Sequence, residues 1–144
     1  MEVRIEIDPE RQDVSVIIRA PARTAEVEAL ARRLAAEGPI LGFRGQEAFP
    51  LRPEDVLRFY GEDKEVRAQT AEGIYTVRFR LYELEERLPR DRFVRVSHSE
   101  IVNLRQVTGL DLSLTGTIRM TLRGGAACYV SRRYVKKIKE ALGL

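Results

Sequence analysis

His98 stands between Ser97 and Ser99, with Glu100 next in line. An imidazole, two hydroxyls and a carboxylate are the parts of an acyl-transfer site. Their spacing denies that use, because neighbours on an extended chain point to opposite sides. No Gly-x-Ser-x-Gly elbow accompanies them. A single histidine and a single cysteine, Cys128, cannot build a zinc site of the usual kinds. Cys128 lies in an apolar run and reads as a small core residue. Glu62, Asp63 and Glu65 gather in one turn. A divalent cation could sit there, but a solvated hairpin tip is the plainer account. The glycines form neither a Gly-x-Gly-x-x-Gly fingerprint nor a P-loop. The sequence therefore leads us to expect no catalytic residue, no metal, no cofactor and no small-molecule substrate.

What the chain offers instead is cations, unevenly placed. Residues 90–144 carry 11 Lys/Arg against 4 Asp/Glu, whereas residues 1–89 carry 14 against 18, within a net charge of +3. A basic C-terminal third on an acidic body suits a polyanion. A solubilising charge that happens to be uneven, or a basic face that docks an acidic protein, would give the same balance. Trp is absent and aromatics make up 7%, which argues against a single-strand binder built on stacking.

These residues need a scaffold, and 144 residues suit one compact domain with a modest extension. Val3, Ile5 and Ile7 alternate with polar neighbours, and so do Val14, Val16 and Ile18; the spacing predicts two strands joined by a turn at Asp8-Pro9. Thr24 is a candidate N-cap for a helix with Val27, Leu30, Ala31 and Leu34 on one face, stopped by Gly38-Pro39. Strands are predicted around Gly42 and Gly45, then at Val56–Tyr60, Val66–Thr70 and Ile74–Phe79. A short helix follows, with Leu81, Leu84 and Leu88 inward and Glu83, Glu85 and Glu86 in solvent. Leu110–Leu114, Ile118–Leu122 and Ala127–Val130 read as further strands, with turns at Gly116 and Gly124-Gly125. Ser131 is placed to cap a last helix that buries Val135, Ile138, Ala141 and Leu142. Its Lys and Arg residues reach into the first turn, against the helix dipole, which suggests a use other than helix stability. No apolar run approaches the roughly 20 residues that span a bilayer. The start lacks a signal peptide's pattern. With one cysteine, the reducing cytoplasm is the expected compartment.

Two stretches are more specific than any of this. Residues 92–104 read RFVRVSHSEIVNL and residues 129–139 read YVSRRYVKKIK. Phe93, Arg95, Ser97, His98, Ser99, Ile101, Val102 and Asn103, followed downstream by Tyr129, Ser131, Arg132, Arg133 and Val135, resemble the paired motifs of the LytTR DNA-binding family. The resemblance covers about residues 50–144. Residues 1–45 resemble the β-β-α lead-in of stand-alone members that lack a phospho-receiver.

The resemblance implies a mainly β (α+β) fold: an elongated antiparallel LytTR domain at 46–144, preceded by a small β-β-α extension at 1–45 for dimerisation or partner docking. It implies a sequence-specific regulator that acts without a helix-turn-helix and places loops in successive major grooves of double-stranded DNA. Carried over residue by residue, Lys64 is a loop residue near one groove, His98 reaches bases or phosphate, and Arg133 is the groove-directed arginine. Ser97 and Ser99 suit phosphate, and Arg95, Arg132 and Lys136 add non-specific attraction. Asn103 is expected to be structural, tying a loop through its side chain. A homodimer on repeated half-sites follows, as does a small membrane protein that restrains the regulator.

Overall fold

A computed structural model describes residues 1–12, 14–35 and 40–144. The chain forms two compact units, Met1–Ala35 and Ala36–Leu144. The division lies ahead of the expected 45/46 boundary, because β1 (Ile40–Arg44) pairs with β5 (Gly73–Val77) inside the larger unit.

In the first unit α1 spans Ala25–Ala35. The Val27 amide donates to Thr24 Oγ1 at 3.3 Å, so Thr24 is the expected cap. Glu26 and Glu28 occupy the first turn, where the dipole favours anions. The two expected strands differ from the structure. None of the described residues between 1 and 22 belongs to a strand, and Val3, Ile5, Ile7, Val14, Val16 and Ile17 are exposed. Only the turn has formed: the Arg11 amide donates to the Asp8 carbonyl at 3.2 Å, and the Glu10 amide to Asp8 Oδ1 at 3.1 Å. The physical reason is that a two-stranded ribbon without a third strand or a covering surface is marginal in water. The predicted helix stop at Gly38-Pro39 lies outside the described residues.

The second unit is almost entirely antiparallel β. Besides β1 and β5 it contains β2 (Glu47–Leu51), β3 (Val56–Glu62), β4 (Glu65–Thr70), β6 (Phe93–Ser97) and β7 (Glu100–Asn103), which form a seven-stranded sheet in the order β2-β1-β5-β4-β3-β7-β6. A second sheet, ordered β10-β9-β8, is built from β8 (Val107–Asp111), β9 (Ile118–Leu122) and β10 (Ala127–Val130). α2 (Leu81–Arg87) links β5 to β6, and α3 (Val135–Ala141) follows β10 after a 3-10 turn at Arg132–Tyr134.

Two apolar cores hold this unit together. Phe59, Tyr75, Leu84, Leu88, Phe93 and Ile101 belong to one, under α2. Leu57, Val94, Val96 and Val102 join Ile118, Met120, Leu122, Val130 and Ile138 in the other, which lies between the two sheets and α3. Successive residues of a strand face opposite ways. β6 and β7 therefore feed both cores, Phe93 and Ile101 into the first, Val94 and Val102 into the second. Cys128 is buried in the second core as expected, and burial pushes its thiol up to about 12.

Two expectations in the last third need correction. β8 begins at Val107 and ends at Asp111, so Leu112 and Leu114 lie beyond it and are exposed. Asp111 stops the strand by accepting the Ser113 amide at 2.9 Å, and bonds from the Ser113 hydroxyl and amide hold its carboxyl below the usual carboxylate range. Ser131 does not cap the last helix: its buried hydroxyl finds no partner, and the Tyr134 amide turns instead to the Ser131 carbonyl at 2.8 Å. Of the four residues expected to be buried there, Ile138 is buried, Val135 and Leu142 are half-buried and Ala141 is exposed.

Candidate nucleic-acid interface

The β3–β4 hairpin turns in two residues, since Glu62 pairs with Glu65. Asp63 (φ 52°) and Lys64 (φ 64°) both take the left-handed conformation. That is the geometry of the tight turn whose twist matches its flanking strands. Here it is achieved without glycine, at some cost for a lysine. Lys64 is exposed at the tip of this turn. Arg67 lies 3.7–3.9 Å from the carboxylates of Glu62, Asp63 and Glu65 and offsets their charge.

The β6–β7 turn presents His98 and Ser99, both exposed. The Ser99 amide donates to Ser97 Oγ at 3.2 Å, so the Ser97 hydroxyl folds the turn as well as facing it. The Ser99 carbonyl accepts the Gly61 amide at 2.9 Å, which ties this turn to the hairpin carrying Lys64. Lys64, His98 and Ser99 thus share one open cleft, which Arg78, Arg80 and Arg95 also line.

Arg95 is employed differently from the expectation of diffuse attraction. Its side chain is only 13% exposed, and its nitrogens are committed within the protein. Nε donates to the Ser97 carbonyl at 2.9 Å, Nη2 to the His98 carbonyl at 2.6 Å, and Nη1 to Glu85 Oε2 at 2.7 Å. Glu85, expected in solvent, is half-buried in this pair. Arg95 therefore clamps the His98 turn onto α2. A second clamp lies alongside: Arg58 bonds Gln69 Oε1 at 2.6 Å and Glu100 Oε2 at 2.8 Å, joining β3, β4 and β7.

The terminal cations are placed by Ser131, whose amide donates to the Val96 carbonyl at 2.7 Å, two residues before His98. From there Arg132 and Lys136 turn, with Lys139, into a second shallow cleft beside Gly116. Gly116 has φ 76°, and a Cβ there would lie 3.2 Å from Arg132 Nε. Arg133 lines neither cleft; it is exposed, its guanidinium 5.4 Å from the centre of the Tyr134 ring. The structure brings Lys64, Arg95, His98 and Ser99 to one cleft and places Arg132 and Lys136 in another.

The LytTr DNA-binding domain family matches residues 46–143. The chain belongs to the LytTR family. Uncharacterized HTH-type transcriptional regulators of Staphylococcus aureus strains MSSA476 and NCTC 8325 are 33% identical to it, over all of this chain and 99% of each relative. A solved LytTr DNA-binding domain from Bacillus cereus superposes with a TM-score of 0.72 at 23% identity, covering 75% of this chain and 99% of that one, which shows a shared fold. Among the described residues α1, α2 and α3 are each separated from the next by strands, whereas the relatives are labelled HTH-type.

Asn103 takes the structural role expected of a buried asparagine that ties a loop. It is buried, donates to the Val56 carbonyl at 2.9 Å and accepts the Arg105 amide at 3.1 Å. Sequence reasoning missed Arg78 and Arg80 in the cleft and the Arg58–Glu100 clamp. The first pair had a signal, since cations at alternate positions beside Val77 and Phe79 must face outward. The clamp had none, because its members lie 42 positions apart in the sequence.

Proposed function

We propose that the protein is a transcriptional regulator that reads duplex DNA through two β-turns, those of Lys64 and His98, and through Arg133 at the approach to α3. The observation that carries this reading is the Gly61–Ser99 bond of 2.9 Å, which makes the two turns one surface in a member of a DNA-binding family. Arginine can bond guanine O6 and N7 together, worth about 1–3 kcal/mol of discrimination, so Arg133 suits base reading. Ser99, Arg132 and Lys136 suit phosphate, which positions without specifying. Arg95 braces the His98 turn through its own bonds while lining the same cleft. A basic face for an acidic protein remains the alternative; family membership does not favour it.

The same reading makes the chain a binder and not an enzyme. The one thiol is buried and held protonated, and the Ser97 hydroxyl accepts an amide within its own turn. Among the described residues no helix is long and apolar enough to cross a membrane. A regulator of DNA would act in the cytoplasm. Loop-based readout offers little area per protomer, which favours a homodimer on paired half-sites. The N-terminal unit is the candidate surface for dimerisation or for a restraining membrane protein.

Selection of genomic fragments by the purified protein, followed by salt titration on a selected and a random duplex, tests the reading. Log K should fall with log salt by about 0.9 per phosphate neutralised, with the selected duplex bound more tightly throughout. Failure to enrich any duplex, or affinity indifferent to salt, would overturn it.

A further inference from the structure

Residues 2–8 hold the pattern of a strand, and among the described residues no strand pairs with them. Val3, Ile5 and Ile7 are 78%, 82% and 83% exposed, and no backbone ladder reaches them. Val14 and Val16 repeat the situation after a turn already closed by the Asp8 carbonyl. Apolar alternation of this kind is stable only where one face is covered, and a lone ribbon is marginal. The segment is not an incidental tail, since the Staphylococcus aureus relatives align with the whole chain.

From the charges we infer that the missing partner is a second copy of this chain, paired antiparallel about Ile5. Cross-strand neighbours of opposite sign stabilise a ladder and like charges oppose it. In that register Ile5 faces the partner subunit's Ile5, Val3 faces the partner subunit's Ile7, and Arg4 faces the partner subunit's Glu6, each cross-pair occurring twice by symmetry. Glu2 then meets the partner subunit's Asp8 at the two fraying ends, where the repulsion costs least. Centring the pair on Arg4 would set arginine against arginine and Glu2 against Glu6. Parallel pairing would set every charge against its own kind. With residues 14–18 folding back across the Asp8 turn, the two copies complete a four-stranded sheet in place of two marginal ribbons. The half-buried stripe of Val27, Leu30, Ala31 and Leu34 gives α1 an apolar face suited to covering such a sheet.

This rests on the DNA-binding reading only in making that regulator a dimer, and the two can fail separately. Sedimentation of the full-length protein at micromolar concentration provides the test, with R4E, E6R and R4E/E6R. All three change exposed residues outside the β unit, so melting of that unit should be unaltered, whereas any loss of stability in the N-terminal unit should follow loss of the dimer and be reversed in R4E/E6R. The wild type should be a dimer. R4E brings carboxylates together and E6R brings guanidiniums together, so each should raise the dimer dissociation constant at least tenfold. R4E/E6R should restore it. A monomeric wild type, single variants as dimeric as the wild type, or a double variant that stays monomeric would each overturn the inference. A single half-site duplex supplies the control: monomeric R4E should bind it like the wild type, whereas loss of DNA binding by every form would sink the functional reading and leave the dimer intact.

Discussion

The His98 turn and the approach to α3 carry cations expected to meet the same ligand, yet they are built in opposite ways. Around His98 the backbone of the turn is held at several points: the Arg95 guanidinium bonds two of its carbonyls, Ser97 folds it, and Gly61 fastens it to the next hairpin. At the head of α3 the Ser131 hydroxyl is buried without a partner, and Arg133 touches only the ring of Tyr134. On the proposed reading, one contact is set before its ligand arrives and the other has room to adjust. Prior ordering lowers the entropy lost on binding. The contrast suggests that the turn fixes where the protein sits and that Arg133 adapts to the base it finds.

The comparison can be broken most decisively at Arg95. R95A removes the clamp and strands Glu85, and hydrogen bonds to charged groups are worth roughly 1.5–3 kcal/mol each. We expect the selected duplex to lose about tenfold to a hundredfold in affinity, with the salt slope unchanged. A slope smaller by about one phosphate would show instead that Arg95 touches DNA, and the clamp account would fail. R133A comes next. Competition between single-base variants of the selected site should lose about 1–3 kcal/mol of discrimination at one base pair. Uniform weakening at every position would remove Arg133 from the readers.

Smaller effects sharpen the picture. K136A should weaken all duplexes alike and lower the salt slope by about 0.9. Base-dependent loss would contradict the separate clefts. Stability at high pH bears on the core beneath both readers. The Cys128 thiol is held near 12 in the folded protein against 9.0 for an ordinary thiol, so unfolding releases a proton above about pH 9. Its stabilising contribution is full below that point and drains as pH rises toward 12. Denaturant titrations of C128A should lack this alkaline decline. Smallest of all, S131A should shift stability by less than about 0.5 kcal/mol, whereas a true N-cap would cost about 1 kcal/mol. A loss of that larger size would restore Ser131 as a cap.

Much of the larger unit is legible in its residues. Alternation marks β3, β4 and β9, glycines mark the turns after β8 and β9, and the LytTR motifs mark the segments that carry Asn103, the His98 turn and the approach to α3. What escaped was set by contacts between distant residues. Arg95 beside a Ser-x-Ser patch reads as a phosphate ligand until α2 returns Glu85 to its side. Leu110, Leu112 and Leu114 keep a strand's period, yet Asp111 ends the strand through a bond to Ser113 that periodicity does not register. At Val3–Ile7 the pattern and the single chain disagree, because a sequence states which face wants covering and not which molecule covers it.

The double duty of β6 and β7 sets a rule for building chimaeras from this scaffold. Phe93 and Val94 enter opposite cores, as do Ile101 and Val102. Slipping β6 by one residue against β7 would turn it over, sending the Phe93 ring toward the second core and Val94 toward the first. The register shift already present between Arg95 and Ser97 lies outside those pairs, so exchanges confined to residues 97–99 at constant length should leave both cores filled.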